Sequence, residues 1–172
     1  MGGENAKFGE FPAAVAIFKN NIYICVGTLI SKKHVITAAH CFIDEHTDTL
    51  IEDYSMKGVP IHPVLQKLEV GLVLTRQACY KYWNHYLPID TVCVVEEQDK
   101  DSCRGDSGGA LVTTFGNRQY LLGILSFGSS CESLRENSSP KAAGYVRIDF
   151  HQSEIADALG WSNKNFEKIN FE

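Results

Sequence analysis

The chain is poor in positive charge, in long apolar runs and in closely paired cysteines, and each shortage removes a class of protein. Sixteen Lys and Arg stand against 21 Asp and Glu, a net charge of −5 over 172 residues. That balance neither neutralises nucleic-acid phosphates nor attracts an anionic membrane, so neither partner is expected. The longest apolar run, Phe11 to Phe18, has eight residues and contains Pro12. It is under half of the roughly 20 residues a membrane helix needs, and too short and poorly placed for a secretion signal. Six cysteines include no Cys-x-x-Cys pair, which disfavours a zinc ribbon or a thioredoxin-type motif. Their even number favours disulfides and hence an oxidising compartment, although spacing alone leaves fifteen pairings open. No repeat or low-complexity segment occurs. With 44% hydrophobic and 22% charged residues, the chain has room for one sizeable core or two small ones.

Patterning predicts a mostly β chain. Ala13 to Lys19 and Ile22 to Ile30 read as strands joined by an Asn20-Asn21 hairpin turn, and Val35 to Thr37 begins another. Residues 44–58 are polar and read as a solvated loop, followed by an edge segment, Val59 to Val64, interrupted by Pro60 and Pro63. Leu65 to Leu74 alternates imperfectly as a strand would, and residues 75–84 carry Ala78, Tyr82 and Trp83 at helical spacing. Ala110 to Thr114, Gln119 to Phe127 and Tyr145 to Ile148 are rich in β-branched or aromatic residues between Gly-rich turns. At the end, Asp149 is placed to cap a helix from Phe150 to Leu159 that Gly160 terminates. Asn137-Ser138-Ser139 matches a glycosylation acceptor but, with Pro140 next, reads as a plain loop.

Two segments carry chemistry. Thr37-Ala38-Ala39-His40-Cys41 sets a histidine beside a cysteine after an apolar strand. Asp101-Ser102-Cys103-Arg104-Gly105-Asp106-Ser107-Gly108-Gly109 sets a serine in a glycine-rich turn. A serine hydroxyl attacks only when a base takes its proton, so Ser107 needs an imidazole within reach, and His40 is the candidate. The glycines allow backbone N–H groups, those of Gly105 and Ser107, to converge on the oxyanion of a tetrahedral intermediate. Alone, each motif is more often packing or a local hydrogen bond; together they point to acyl transfer. His34, His46, His62, His85 and His151 lack metal-ligand spacing and read as surface or packing residues, so no metal or organic cofactor is expected.

These segments resemble the trypsin-like serine proteases. The likeness is carried by Gly2 to Ala6 with Gly9 to Pro12, Gly27 to Ile30 leading into Thr37 to Cys41, Lys100 to Gly109, Gly123 to Gly128, and Gly144 to Arg147. It implies an all-β fold of two antiparallel Greek-key β-barrels, both incomplete here, with a C-terminal helix. Residues 1–64 would be the remnant of the first barrel, 65–148 of the second, 149–160 the helix and 161–172 a tail. It implies disulfides Cys25–Cys41, Cys79–Cys93 and Cys103–Cys131, and secretion. It assigns Asp101 to the base of a specificity pocket selecting Lys or Arg, and Ser126, Phe127 and Gly128 to pairing with substrate backbone. Asp106 would receive the ammonium freed by zymogen cleavage. Protein or peptide substrates, and protease inhibitors, are the implied partners.

The chain departs from that pattern. His40 and Ser107 are 67 positions apart (107 minus 40), where the family has about 138, so some 70 residues are missing. Val59 to Pro63 resembles a strand shortly before the family's catalytic aspartate, and Leu65 to Cys79 one well into the second barrel. The expected join is therefore near Val64, and the aspartate is not found. Glu69, followed by apolar residues, is a rival orienting carboxylate, whereas Asp44, Asp48, Asp53 and Asp90 lack its context. Met1 stands where the family has the residues of its activating cut. Ala143 replaces a usual glycine, and the stretch from Cys131 to Ala143 is long, so the pocket width is open. An imidazole without its orienting carboxylate loses about 10⁴-fold in kcat, a figure that belongs to this family rather than to this chain. The expectation is a serine endopeptidase by family whose activity in this shortened form is in doubt. The alternatives are a non-catalytic homologue acting as a binding module for substrates, inhibitors or another protease, or a truncated isoform or gene-model product.

Overall fold

In the computed structural model, residues 1–44, 47–51, 53–58, 64–84, 86–136 and 141–161 are described. Thirteen strands are present among them: β1 (Glu4–Asn5), β2 (Ala14–Lys19), β3 (Ile22–Leu29), β4 (Val35–Ile36), β5 (Ile43–Asp44), β6 (Thr49–Leu50), β7 (Tyr54–Gly58), β8 (Gln66–Lys67), β9 (Val73–Leu74), β10 (Thr91–Val95), β11 (Ala110–Phe115), β12 (Arg118–Phe127) and β13 (Ala142–Arg147). The helices are α1 (Arg76–Cys79), α2 (Cys131–Arg135) and α3 (Gln152–Leu159). All strand pairs are antiparallel and form two main sheets, β4-β3-β2-β7 and β11-β12-β13-β10-β9, with small pairs β1-β8 and β5-β6.

The first sheet grows from the expected hairpin. Asn20 and Asn21 both take positive φ, 50° and 62°, the geometry a two-residue loop needs to match the twist of its strands. β2 buries Val15, Ala16 and Ile17, and Ile17 packs with Cys25, Ala38 and Cys41. Burying one such aliphatic side chain contributes about 2 kcal/mol. β7 lies in the polar stretch read as loop. It pairs along β2 with Ala16 opposite Lys57, and four of its five residues are exposed, so an outward edge strand leaves no apolar alternation to read.

The second sheet holds two buried clusters. Val94, Leu111, Leu125, Ala143 and Tyr145 fill one, and Cys79, Leu87, Cys93 and Ala142 the other. β10 follows a turn at Pro88-Ile89-Asp90, closed by Thr91 N–H donating to the Pro88 carbonyl at 3.1 Å, and pairs with β13 over five residues. β13 begins at Ala142, earlier than its Tyr145 start in the sequence reading. Ala142, Ala143 and Gly144 are poor strand formers but are buried against β10 and β12, and packing overrides propensity. The Leu65–Leu74 stretch divides into β8, which pairs with β1, and β9, which edges the second sheet.

The end of the chain is helical, with corrections. α3 starts at Gln152, preceded by a 3₁₀ turn Ile148–His151, and Asp149 does not cap it. The Asp149 carboxylate instead takes a bond from Arg147 Nε at 3.0 Å and pairs with Arg147 Nη2. Gly160 ends the helix in the left-handed region at φ 65°, with Trp161 N–H donating to the Ala156 carbonyl at 2.9 Å, as a Schellman motif requires. Within the expected 75–84 helix only Arg76–Cys79 is α, capped by the Thr75 hydroxyl. The predicted Val59–Val64 edge, apart from Val64, and the Asn137-Ser138-Ser139 sequon lie outside the described residues, as do His46, His62 and His85.

Candidate active site

The three disulfides are Cys25–Cys41, Cys79–Cys93 and Cys103–Cys131, and no free cysteine remains. The first clamps the 3₁₀ turn Ala39–Cys41 onto β3. His40, exposed on that turn, brings its ring within 4.8 Å of the sulfurs of Cys25 and Cys41. Both sulfurs are oxidised to the disulfide, so the group offers no thiolate to a metal ion. The Cys41 sulfur in turn lies 4.0 Å from the Ser107 carbonyl oxygen. The histidine turn and the serine loop therefore meet at this disulfide.

The serine loop is built from two consecutive turns. Asp106 N–H donates to the Cys103 carbonyl at 2.9 Å and Gly109 N–H to the Asp106 carbonyl at 3.0 Å. Gly105 and Gly108 take φ of 99° and 82°, in the left-handed region where a side chain is strained. The loop is fastened on two sides. Val26 N–H of β3 donates to the Ser107 carbonyl at 2.9 Å, while Gly108 N–H donates to Leu125 of β12 at 2.8 Å. A Cβ on Gly108 would strike Thr37 Oγ1 and the Val26 carbonyl, so a glycine is needed for the loop to seat on the first sheet. Among the described residues, no protein acceptor takes the N–H of Gly105 or of Ser107.

Ser107 opens on a cavity of about 240 Å³, walled by Ser102, Cys103 and Arg104 on one side and by Leu125, Phe127 and Gly128 to Ser130 on the other. The Cys103–Cys131 bridge joins the two walls. Phe127 is held by an edge contact with Trp83 at 5.4 Å and fills the space beside Gly144. Ala143 is fully buried in the cluster with Val94, Leu111, Leu125 and Tyr145 and does not line the cavity. Ser126 is half-buried in β12.

Asp101 is only 3% exposed and does not line the cavity. Its carboxylate accepts from the N–H of Ser102 at 2.7 Å, the N–H of Glu97 at 3.2 Å and the Ser102 hydroxyl at 3.2 Å. Burial pushes this carboxyl above the ordinary aspartate range, and the nearby Glu96 charge adds to the rise. The same burial, with the Asp101 charge, pushes the Tyr145 phenol up to about 12. The Met1 ammonium donates to the Asp101 carbonyl at 2.7 Å, while the Asp106 carboxylate accepts from Cys103 N–H at 2.9 Å.

Sequence reasoning missed Glu96. Also 3% exposed, it accepts from Ser129 N–H and the Ser129 hydroxyl, both at 2.6 Å, and from Lys141 N–H at 2.8 Å. It thus braces the Gly128–Ser129 wall from behind. Its donors lie 33 and 45 positions away, so no local pattern marks it. Glu69 is exposed, and among the described residues no carboxylate is hydrogen-bonded to His40. Asp90 is bonded to a histidine, but to His151 Nε2 at 2.6 Å. His34 bonds the Ser31 hydroxyl at 2.8 Å.

A disulfide-clamped histidine turn against a serine loop, on curled antiparallel sheets with a C-terminal helix, is the build of a trypsin-like serine protease. Comparison with known proteins agrees. The trypsin family model matches residues 1–60 and, separately, 53–148, and the chain belongs to the trypsin family. It is 33% identical over 99 residues to trypsin-like protease try-5 of Caenorhabditis elegans, an alignment covering 56% of this chain and 30% of that protein. It is 35% identical over 91 residues to serine protease 1 and to serine protease 2 of Drosophila melanogaster, covering 52% of this chain and 32% of each relative. The chain thus spans about a third of the length of these relatives. No helix of the described residues is long and apolar enough to cross a membrane.

Proposed function

We propose that the chain is a secreted serine-type endopeptidase of the trypsin class, with His40 as general base and Ser107 as nucleophile. The observation that carries this is the Ser107 loop itself. Ser107 lines a cavity, and the N–H groups of Gly105 and Ser107 have no protein acceptor among the described residues. Two unused donors flanking a nucleophile are what the oxyanion of acyl transfer requires. The Cys41 sulfur beside the Ser107 carbonyl supports His40 as the base. Peptide substrate would run beside Ser126, Phe127 and Gly128 as an extended partner, a groove that protease inhibitors would also occupy. Asp101 would select Lys or Arg through its buried negative charge behind the cavity wall, and Asp106 would organise the loop as the acceptor of a freed amino terminus. Residues 1–64 would then be first-barrel and 65–148 second-barrel chain.

A second reading, a non-catalytic homologue that binds peptides in the same groove, is favoured by one observation: among the described residues His40 has no carboxylate partner. The two readings separate in one experiment. Refolded protein is treated with a serine-directed phosphonate and assayed on an arginyl ester, beside Ser107→Ala. Labelling and turnover that disappear in Ser107→Ala support the endopeptidase. Absence of both from a cooperatively folded protein overturns it.

A further inference from the structure

The first sheet grips the serine loop at two points. Besides the Val26 N–H bond to the Ser107 carbonyl, the Tyr23 hydroxyl, also on β3, donates to the Gly105 carbonyl at 2.8 Å across 82 positions of chain. The Tyr23 ring is seated there as well, since a Cβ built on Gly105 would lie 3.2 Å from its Cε1. Phe18 of β2 backs the ring edge-on at 5.9 Å.

We infer that Tyr23 is a positioning residue that sets the two N–H donors flanking Ser107, an inference that rests on the acyl-transfer reading of this site. The Gly105–Asp106 peptide is the link between the N–H of Gly105 and the N–H of Ser107. It is held at both ends, its carbonyl by Tyr23 and its N–H by the Cys103 carbonyl at 2.9 Å. One residue further on, the Ser107 carbonyl is held by Val26. With these three bonds closed, rotation about Gly105, a glycine at φ 99°, is restricted. The two donors then keep one spacing and one direction before substrate arrives, which is what preorganised charge stabilisation needs. Tyr23 is 46% exposed; partial desolvation, with the charge of Asp106, pushes its phenol up to about 12, so it remains a donor throughout the range in which a histidine base works.

The test is Tyr23→Phe, which removes one oxygen and keeps the ring against Gly105. Wild type and variant are compared by phosphonate labelling, by kcat and KM on an arginyl ester, by thermal unfolding, and by the carbonyl carbon shift of Gly105 in labelled protein. The expected result is a roughly tenfold lower kcat at nearly unchanged KM, less than the loss from deleting an oxyanion donor outright. An upfield shift of the Gly105 carbonyl should accompany it. An unchanged Gly105 signal, or an unchanged kcat in a labelled wild type, overturns the inference. A variant that only melts earlier, with kcat per labelled site intact, overturns it too. If wild type takes no label at Ser107, the acyl-transfer reading fails instead, while the Gly105 signal still decides whether Tyr23 holds the turn.

Discussion

Val26 and Ser107, 81 positions apart (107 minus 26), are joined by one backbone hydrogen bond of 2.9 Å, and through it the serine loop of one sheet is carried by an inner strand of the other. The bond requires close approach, which Gly108 permits because it has no Cβ to meet Thr37 and Val26.

Gly108→Ala should therefore separate the sheets as well as strain the loop. A side chain at φ 82° in contact with backbone is expected to cost about 3 kcal/mol or more, read as a lower urea midpoint. An unfolding curve matching wild type would count against the seating described.

Glu96→Ala should be among the most damaging changes outside the catalytic motifs. It leaves Ser129 N–H, the Ser129 hydroxyl and Lys141 N–H without their buried acceptor, a loss of about 3 kcal/mol or more. Glu96→Gln keeps one accepting oxygen and should fall between it and wild type. Thermal unfolding of the three proteins ranks them.

Removing the Cys103–Cys131 bridge by Ser at both positions opens a loop with a sequence separation of 28. Loop-closure entropy puts the stabilisation lost at about 3.5 kcal/mol. Peptide binding should weaken in parallel because the bridge joins the two cavity walls. Denaturant titration and inhibitor binding by fluorescence would check both.

Asp101 gives the pH dependence an unusual sign. Its folded carboxyl titrates above the unfolded value of 3.8 because burial favours the neutral acid. Between those two values the folded state binds more protons, so this residue makes stability fall as pH rises through the window. Asp149 acts oppositely. Its bond from Arg147 holds it below 3.8, and its contribution is lost as pH falls through the folded value. Asp101→Asn should remove the downward slope above pH 3.8 and leave the acid limb in place. Unfolding free energy measured across the acid range in both proteins would show it, and equal slopes would refute the assignment.

Much of the site was legible because its chemistry is local. The Thr37–Cys41 and Asp101–Gly109 segments each carry their residues within one short stretch, and Asn20-Asn21 names its own turn. The polar 44–58 stretch hid β7 because an outward-facing edge strand takes its order from β2, not from its own side chains. Asp149 looked like a cap, yet the guanidinium of Arg147, two residues away, holds its carboxylate. Asp101 is legible as a carboxylate beside the serine segment, but the three donors on Glu97 and Ser102 that hold that carboxylate are not.

The sequence alone determined that this protein is mostly β, that a histidine turn and a glycine-rich serine loop are its chemical segments, and that its cysteines come as an even set without metal spacing. These follow from alternation, turn residues and short motifs, which act over a few residues. Only the tertiary structure decided that Val26 and Tyr23 hold the serine loop, that Glu96 braces the cavity wall, and that Asp90 bonds His151. Each of these joins groups tens of residues apart, and such a partner is chosen by what folding brings within hydrogen-bond reach.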